Sequence, residues 1–253
     1  IGNSIIGQGN GLISLQSSGR YADVNPTFYI RGLQTLNGKN SPLVMIDGIQ
    51  RDIVSIAPEE VESVIVLKDA AAVALYGYKG INGAINIVTK RGKYNTRSVK
   101  VTYDHLFTSL ANKPKFVDAY TYGLAVNEAR INDGLTGRYS NQELNALRDG
   151  TMPYLYPNVN WVDETFRDNA MTNKYNIEFR GGGEKFRYYT MLDLISNKGF
   201  VKEPGANEGY STQDKYVKGN LRMNMDIDLT KTTDLQVNLL GVLQETSRPG
   251  AQA

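Results

Sequence analysis

Two glycine-rich stretches are the first places where this chain could carry out chemistry, because glycine loops can bind phosphate. Gly77, Gly80 and Gly83 lie three residues apart behind a short apolar run. The spacing is G-x-x-G-x-x-G rather than G-x-G-x-x-G, and the β-branched run Ala84–Thr89 that follows offers no helix N-terminus to a phosphate. The second stretch, Gly181–Lys185, lacks the Walker spacing and a hydroxyl residue after its lysine. We interpret both stretches as structural turns.

Few residue types are available for catalysis or metal binding. The chain has no cysteine and a single histidine, His105, which disfavours a thiol nucleophile, a metal cluster and a Ser-His-Asp triad. We predict that His105 is half-buried in an alternating strand. The run Ala57–Glu62 has proline and acids in the pattern of a first helical turn, and we interpret it as a solvated charge cluster rather than a catalytic pair. We therefore expect no enzyme activity, no cofactor and no metal site.

The composition limits the class of protein. The 253 residues carry a net charge of +2 without a long basic run, so we expect no nucleic-acid partner. Ile1–Ser14 has no basic leader of a signal peptide, and no stretch approaches the roughly 18 consecutive apolar residues of a membrane helix. The 16 tyrosines and 25 glycines, with a mean hydropathy of −0.37, are nevertheless typical of an outer-membrane β-barrel, in which half of every strand faces a wet lumen.

The N-terminal part of the chain has the pattern of a compact α/β unit organised around Val66–Gly92. The β-branched run Val64–Leu67 predicts a buried strand, the alanine-rich Ala70–Leu75 predicts a helical turn, and Ala84–Thr89 predicts another strand. Three further strands and a turn are predicted upstream, at Gly11–Leu15, Thr27–Arg31, Pro42–Asp47 and Asp47-Gly48.

Beyond Gly92 the pattern changes to strict alternation of apolar and polar residues. In Val217–Leu229 the apolar residues share one face, and the opposite face carries Lys218, Asn220, Arg222, Asn224, Asp226 and Asp228. Such strands are long for a soluble sheet but match the roughly 9–11 residues needed to cross a bilayer at a tilt. Five strands are predicted: Val99–Phe107, Lys174–Arg180, Phe186–Leu194, Val217–Leu229 and Leu235–Gln244.

The connections between these strands alternate in length. Short turns at Gly181–Lys185 and Thr230–Thr233 contrast with long links at Leu110–Thr172 and Lys202–Asp214, the first of which contains a predicted helix, Ala119–Asn132. Barrels with short periplasmic turns and long outer loops have this asymmetry. About five strands cannot close a membrane barrel, which needs roughly eight, so we expect a piece of a longer protein. A soluble surface β-sandwich that binds carbohydrate is the alternative, and it explains the strand lengths and the asymmetry of the connections less well.

The residues also resemble a known family. The N-terminal part is similar to the plug of SusC/RagA-type TonB-dependent outer-membrane transporters, and Trp161–Arg167 and Gly181–Lys185 resemble the family's first outer loop and first periplasmic turn. The resemblance implies an α+β plug domain at 1–93 and, at 94–253, about five antiparallel transmembrane strands of a partial β-barrel with a long first outer loop at 110–172. The matching segments are Gly11–Gln16, Tyr29–Gly32, Pro42–Gly48, Val61–Asp69, Leu75–Gly77, Gly80–Gly83 and Lys90–Gly92.

The resemblance implies a nutrient importer in the outer membrane of a Bacteroidetes-like bacterium. Outer-membrane lipid would surround the strands, and the plug, facing the periplasm, would fill the lumen. A SusD-like surface lipoprotein would deliver an oligosaccharide or a peptide, and TonB, with ExbB and ExbD, would displace the plug. Arg31 and Arg91 would be locked to barrel glutamates beyond Ala253, because a guanidinium can bind carboxylates bidentately. The signal peptide, N-terminal extension domain, TonB box and most of the barrel would lie outside this chain.

The resemblance also marks plug-signature residues, which we interpret as fold-keeping rather than ligand-binding. A siderophore or cobalamin receptor is a related alternative, which is disfavoured because VLKDAAA stands where those receptors usually carry lysine-glycine-proline. Tyr78-Lys79 and Ile81 depart from the Ser-Arg and Ala that are commoner in the family. The signature residues are Gly32, Asp47, Gly48, Lys68, Asp69, Tyr76, Gly77, Gly80, Asn82 and Gly83.

Overall fold

The computed structural model describes residues 7, 11–16, 26–32, 40–110, 112–202, 205, 209 and 211–248, without the side chain of Asp69. The described residues form two compact units. The first unit lies within Ile1–Leu106, Met171–Lys198 and Lys215–Arg248, and the second lies within Phe107–Ala170 and Gly199–Asp214. None of the helices in the described part of the chain is long and apolar enough to cross a membrane.

The N-terminal residues of the first unit form an α/β segment. Strands β1 (Leu12–Leu15) and β2 (Thr27–Ile30) pair antiparallel. A second sheet has the order β4-β3-β6-β5, in which β3 and β6 are parallel and the other pairs antiparallel. Its elements are β3 (Leu43–Ile46), β4 (Ile49–Gln50), β5 (Val61–Leu67) and β6 (Ala84–Thr89), with helix α1 (Asp69–Tyr76) and 3₁₀ turns at Ile53–Ser55, Pro58–Glu60 and Gly77–Gly80.

The α/β segment has an apolar core that joins its two sheets. Small residues allow α1 to pack closely, since Ala72 is fully buried and a Cβ on Gly80 would lie 2.4 Å from the Ala72 carbonyl oxygen. The predicted Asp47-Gly48 turn is confirmed, with φ of +48° and +82° as a tight hairpin turn requires. The larger core cluster consists of Leu12, Phe28, Ile30, Ile46, Ile53, Ile56, Ile85 and Ile87.

The predicted long strands are confirmed as one five-stranded sheet in the order β11-β10-β9-β8-β7. Registers from β8 to β11 are antiparallel between neighbours in sequence. Each strand has 13 to 16 residues, because the alternation extends beyond the predicted bounds. The strands are β7 (Arg97–Ser109), β8 (Asn169–Gly182), β9 (Phe186–Lys198), β10 (Lys215–Thr230) and β11 (Thr233–Ser247).

The sheet buries its polar face and exposes its apolar face. In β10 the alternate residues from Tyr216 to Asp226 are buried, and five of these six positions are polar or charged. Leu221, on the opposite face, is 49% exposed. A water-soluble sandwich would have the reverse arrangement, whereas a lipid-facing strand has this one.

The second unit contains three helices in its described residues: α2 (Ala119–Asn132), α3 (Asn141–Asp149) and α4 (Trp161–Thr165). The prediction of α2 is confirmed, and α3 and α4 were not predicted. A capping box begins α3, in which Ser140 and Glu143 bind each other's backbone N–H groups. That S-x-x-E spacing was the available signal for α3.

Three expectations from the sequence are wrong. Val64–Leu67 forms a strand, but the strand is not buried, because β5 lies at the edge of its sheet and Ile65 is 47% exposed. The run Ala57–Glu62 does not begin an α-helix, because it makes one 3₁₀ turn before the β-branched residues of β5 continue it as a strand. Nor is it wholly solvated, since Glu60 is completely buried. His105 is exposed rather than half-buried, because β7 lies at the edge of the sheet and most of its residues are exposed.

The segment that connects the α/β segment to β7 packs its backbone directly against the backbone at the β8–β9 turn. A Cβ on Gly92 would lie 2.3 Å from the Tyr188 backbone nitrogen and 2.6 Å from its oxygen. Backbone hydrogen bonds hold the crossing, from Gly182 N–H to Thr96 O at 3.0 Å and from Asn95 N–H to Gly183 O at 3.4 Å. This approach requires a glycine at position 92.

We predict that Gly92→Ala destabilises the protein by about 1–3 kcal/mol, as overpacking against rigid backbone does. Thermal unfolding measures the effect. Gly219→Ala is the matched control, because its Cβ would only reach Leu194 Cδ1 at 3.9 Å, an ordinary contact. Equal melting temperatures for the two variants would contradict the close crossing at Gly92.

Candidate functional site: a buried polar interface

A buried ion pair joins the α/β segment to the polar face of the strands. Arg222 of β10 is 3% exposed, and its Nε donates to Glu60 Oε2 at 2.5 Å. Its Nη1 lies 3.5 Å from Asp47 Oδ2. Glu60 is 0% exposed, and its other oxygen accepts from the backbone N–H of Ala57 at 2.5 Å. One arginine therefore holds two carboxylates of the α/β segment out of water.

The turn after β3 positions the Asp47 carboxylate at the interface with the strands. The left-handed turn after β3 directs Asp47 toward the end of β6, where Oδ1 accepts from Thr89 N–H at 2.9 Å and Oδ2 accepts from the Thr89 hydroxyl at 2.6 Å. Asn224 of β10 donates to Thr89 Oγ1 at 2.7 Å and to the Lys90 carbonyl at 2.9 Å. The ends of β3 and β6 are thus fixed to β10 by a continuous hydrogen-bonded network.

Further polar contacts flank this network on both sides. Lys174 pairs with Glu59, and Lys218 donates to the Val54 carbonyl at 2.5 Å. Lys90 Nζ lies 3.3 Å from Glu178 Oε2. The apolar contribution to this interface is small and includes Ala57 packed with Tyr189 and Met191. We call the face of β8, β9 and β10 that carries these contacts the wall.

Arg91 lies at the end of the wall nearest the β8–β9 turn. Its Nη1 pairs with Asp226 Oδ1, and its Nη2 donates to Asn238 Oδ1 at 3.4 Å. Arg187 Nε binds the second Asp226 oxygen at 2.7 Å, so two guanidinium groups share one carboxylate. The partner here is an aspartate inside the chain, where the resemblance implied a glutamate beyond Ala253. The lock role of Arg91 stays a prediction.

Tyr94 adds a contact beside Arg91 in the link to β7. Its hydroxyl donates to Asp228, with both carboxylate oxygens at 3.1 Å, and the Arg187 guanidinium lies over its ring at 5.2 Å from the centroid. Partial burial, followed by the hydrogen bond to Asp228, raises the pKa of Tyr94, so the phenol remains a donor at neutral pH.

Arg31, the other predicted lock residue, ends β2. It is exposed and has a left-handed backbone with φ of +60°, and its N–H donates to the Gly11 carbonyl at 2.9 Å. A Cβ on Gly11 would lie 3.9 Å from Arg31 Cγ. These contacts fix the backbone of Arg31, and its role as a lock also stays a prediction.

The plug-signature residues occupy turns and element ends. Lys68 is the residue before α1, and Asn82 is half-buried between the 3₁₀ turn and β6. Tyr76 is the last residue of α1 and packs against a smaller buried cluster that includes Leu43 and Ala72. The Asp69 side chain lies outside the described part of the chain. Asp47 was expected only to keep the turn, but its side chain also binds Thr89 and Arg222 in the buried hydrogen-bonded network. Gly32, Gly48, Gly77 and Gly83 have positive φ, and Gly80 packs on Ala72.

The sequence did not identify Arg222, Glu60, Thr89 or Asn224 as members of a site. The alternation of apolar and polar residues in the sequence showed that β10 has a polar face. It did not show the partners of that face, because they lie up to 162 residues away along the chain. In the part of the chain that the structure describes, no group of three or more His, Asp or Glu side chains could hold a metal ion.

Known proteins are similar to this chain in sequence and in fold. Residues 8–84 match the family TonB-dependent Receptor Plug Domain. The chain is 29% identical over 216 residues to TonB-dependent receptor P39 of Formosa agariphila, covering 85% of this chain and 19% of that protein. It is 29% identical over 185 residues to TonB-dependent receptor SusC of Bacteroides thetaiotaomicron, covering 68% and 17%. The chain therefore spans about a fifth of the curated relatives it matches.

The solved structure of the RagAB peptide transporter is similar in fold. It has a TM-score of 0.77 over 98% of this chain and 29% of that one, at 21% identity. The closed-closed state of the RagAB peptide importer has a TM-score of 0.74 over 97% of this chain and 29% of that one, at 20% identity. These structures show that the chain has the fold of part of such a transporter and not that of a β-sandwich.

Residues 8–84 therefore form a TonB-dependent receptor plug domain, and the chain is similar in sequence to TonB-dependent receptors, SusC among them. Its fold, a plug followed by antiparallel strands of a partial barrel, is similar to that of the RagAB structures. The α/β segment is the plug, and the buried polar interface joins the plug to the wall.

We predict that Arg222→Met weakens the attachment of the plug by about 3–5 kcal/mol, because it leaves two carboxylates buried without their partner. Native-state hydrogen exchange of β5 in the full-length receptor measures the opening free energy of that region. The expected result is a large loss of protection in β5.

Lys215→Met is the matched control on the same strand. Lys215 pairs with Glu245 at 3.1 Å, but both side chains are largely exposed, so its loss should cost at most about 1 kcal/mol. If Arg222→Met changed the exchange of β5 no more than Lys215→Met, the buried pair would not hold the plug.

Proposed function

We propose that this chain is the plug and the first wall strands of an outer-membrane importer of nutrients, opened from the periplasm by TonB with ExbB and ExbD. The plug would extend to residue 93 and the barrel would begin at residue 94. The observation that carries the proposal is the polar interface, in which Glu60, Asp47 and Thr89 of the plug bind Arg222 and Asn224 of the wall.

A polar interface supports a plug that moves. An apolar core loses free energy in proportion to the apolar area that water reaches, so separating it is costly throughout. Hydrogen bonds and ion pairs exchange their partners for water, and the net contribution of each is only about 0.5–1.5 kcal/mol once water can enter. Contacts such as Lys90–Glu178 and Lys174–Glu59 can therefore hold the plug at rest and release it under a pulling force.

The orientation follows from the connections between strands. Short turns join β8 to β9 and β10 to β11, and short turns lie on the periplasmic side of outer-membrane barrels. The link at Gly92–Thr96 leaves the plug beside the β8–β9 turn. This position supports a plug that faces the periplasm.

Partners and cargo are proposed from the relatives. RagAB, which is similar in fold, is described as a peptide importer, and SusC, which is similar in sequence, is a TonB-dependent receptor. We propose a SusD-like surface lipoprotein as the partner of this chain, and an oligosaccharide or a peptide as its cargo. We further propose Arg91, through Asp226, and Arg31 as the lock that keeps the resting plug in place.

A reversible cross-link tests whether the plug must leave the wall. Thr89→Cys with Asn224→Cys introduces a pair of cysteines at a plug–wall contact of 2.7 Å in a stretch of chain that has none of its own. We predict that the oxidised receptor does not import and that a reductant restores uptake.

The control cross-link joins two wall strands without touching the plug. Thr172→Cys with Asn197→Cys replaces a side-chain hydrogen bond of 2.6 Å between β8 and β9. Import should continue when this pair is oxidised. Normal import through a receptor whose Thr89–Asn224 pair is shown to be oxidised by mass spectrometry would reject plug displacement at this contact.

Growth measurements identify the cargo. We expect that deletion of the gene of the full-length receptor abolishes growth on one class of nutrient, either defined glycans or defined peptides, and that deletion of the neighbouring lipoprotein gene does the same. Growth on the unaffected class is the internal control. Unchanged growth on every glycan and peptide tested would contradict the proposed cargo classes.

A further inference from the structure

The outward face of β8, β9 and β10, which lies opposite the wall, is apolar over most of its length. The sheet register places its residues in rows, from the pair of Phe186 and Ile227 beside the short turns to the pair of Leu194 and Gly219. None of the outward residues in these rows is charged, and Leu192 is 50% exposed. We call this part of the outward face the apolar band.

Two lysines lie beyond the apolar band, at the end of the strands away from the short turns. Lys198 of β9 and Lys215 of β10 are opposite each other in the sheet register, and both are exposed. The row between these lysines and the apolar band contains Asn173 of β8 and Ser196 of β9. The outward face therefore changes from apolar to polar and then to basic within two rows. We call Lys198 and Lys215 the lysine pair.

The position of the lysine pair along the strands fits the level of lipid headgroups. Strand β9 runs from Phe186 to Lys198 over 13 residues, so its ends are about 40 Å apart at about 3.3 Å per residue. Barrel strands tilt by roughly 35–45°, which gives a height of about 30 Å along the membrane normal, and their apolar band is about 25 Å tall. Lys198 therefore lies just outside the hydrocarbon layer when Phe186 lies at the opposite boundary.

The lysine pair carries more positive charge than its neighbours neutralise. Lys215 Nζ lies 3.1 Å from Glu245 Oε1, and both side chains of this ion pair are exposed. Lys198 makes no ion pair with any residue that the structure describes. Like charges that face each other across adjacent strands are destabilising. An anion between the two ammonium groups would remove that repulsion.

The surroundings of the lysine pair select a phosphate that is attached to a lipid. A lysine binds phosphate as a point charge, and the backbones of two paired strands are only about 4.8 Å apart, so both ammonium groups can contact one phosphate. Ser196 in the next row has a hydroxyl that can donate to the same headgroup. Leu194 and Leu221 of the apolar band are 42% and 49% exposed and offer a surface to acyl chains. Inorganic phosphate would gain nothing from that apolar surface.

We propose that Lys198 and Lys215 form a binding site for the phosphate group of an anionic lipid in the outer leaflet of the membrane. The phosphate lies between the two ammonium groups, and the acyl chains of the lipid pack on the apolar band. The choice of the outer leaflet rests on the proposed function, in which the short turns lie on the periplasmic side. The binding of the lipid itself depends neither on that orientation nor on import.

Lipid binding to the full-length receptor in detergent tests the site. The receptor is stripped of lipid and titrated either with lipid A that carries its phosphate groups or with lipid A from which they have been removed. Native mass spectrometry measures the affinity for each form. We expect the phosphorylated form to bind at least about tenfold more tightly, because each of the two lysines attracts an anionic headgroup. Equal affinity for the two forms would overturn the proposal, and this comparison needs no variant.

Two double variants separate this site from a general attraction of lipid to the receptor. Lys198→Gln with Lys215→Gln should lower the affinity for phosphorylated lipid A by about tenfold or more. The matched control is Lys185→Gln with Lys231→Gln, which removes the same charge from the short turns at the other end of the strands and should leave the affinity unchanged. Equal affinities of the two double variants would overturn the proposal.

Inorganic phosphate distinguishes a lipid site from a site for free phosphate. An equimolar amount of inorganic phosphate should leave phosphorylated lipid A bound, because it makes no contact with the apolar band. Displacement of the lipid at that concentration would overturn the assignment to a lipid. A receptor that binds phosphorylated lipid A through the lysine pair but imports no nutrient would support this site and contradict the proposed function, so the two failures are distinguishable.

Discussion

The structure depends on one constraint, which is that a buried charge must have a partner. Arg222 lies on a wall strand whose polar face is closed off by the plug, and Glu60 and Asp47 neutralise it. Removing a carboxylate or a guanidinium from water costs several kcal/mol per ion, which only close pairing repays. The turn after β3, the 3₁₀ turn before β5 and the end of β6 all take positions that satisfy this pair.

The same constraint explains why the strand sheet has its polar residues inside. The opposite face of the strands is apolar and exposes residues such as Leu221, as strands that face lipid do. The wall instead carries charges of both signs, and the plug supplies their counterparts. Arg222 belongs to the wall and pairs with Glu60 of the plug. Arg91 belongs to the plug and pairs with Asp226 of the wall. The plug is therefore held by pairs of both polarities.

Much of the fold could be predicted because it follows from local patterns. Alternation predicted the long strands and which face of β10 is polar, and the Asp47-Gly48 pair predicted its turn. The site could not be predicted in the same way, because Glu60 lies 162 residues from the arginine that buries it. Its neighbours Pro58 and Glu59 are typical of a solvated helix start, and only the tertiary contact overrides that local signal. Helix α3 was missed although its Ser140–Glu143 capping box was visible.

A double-mutant cycle between Glu60 and Arg222 tests most directly whether this pair seats the plug. Glu60→Gln, Arg222→Met and the double variant are compared by the opening free energy of β5, from native-state hydrogen exchange in the full-length receptor. The account predicts that the loss in the double variant is smaller than the sum of the two single losses by at least about 1.5 kcal/mol, since each single variant takes a partner from a buried charge. Additive losses, with a coupling below about 0.5 kcal/mol, would contradict it.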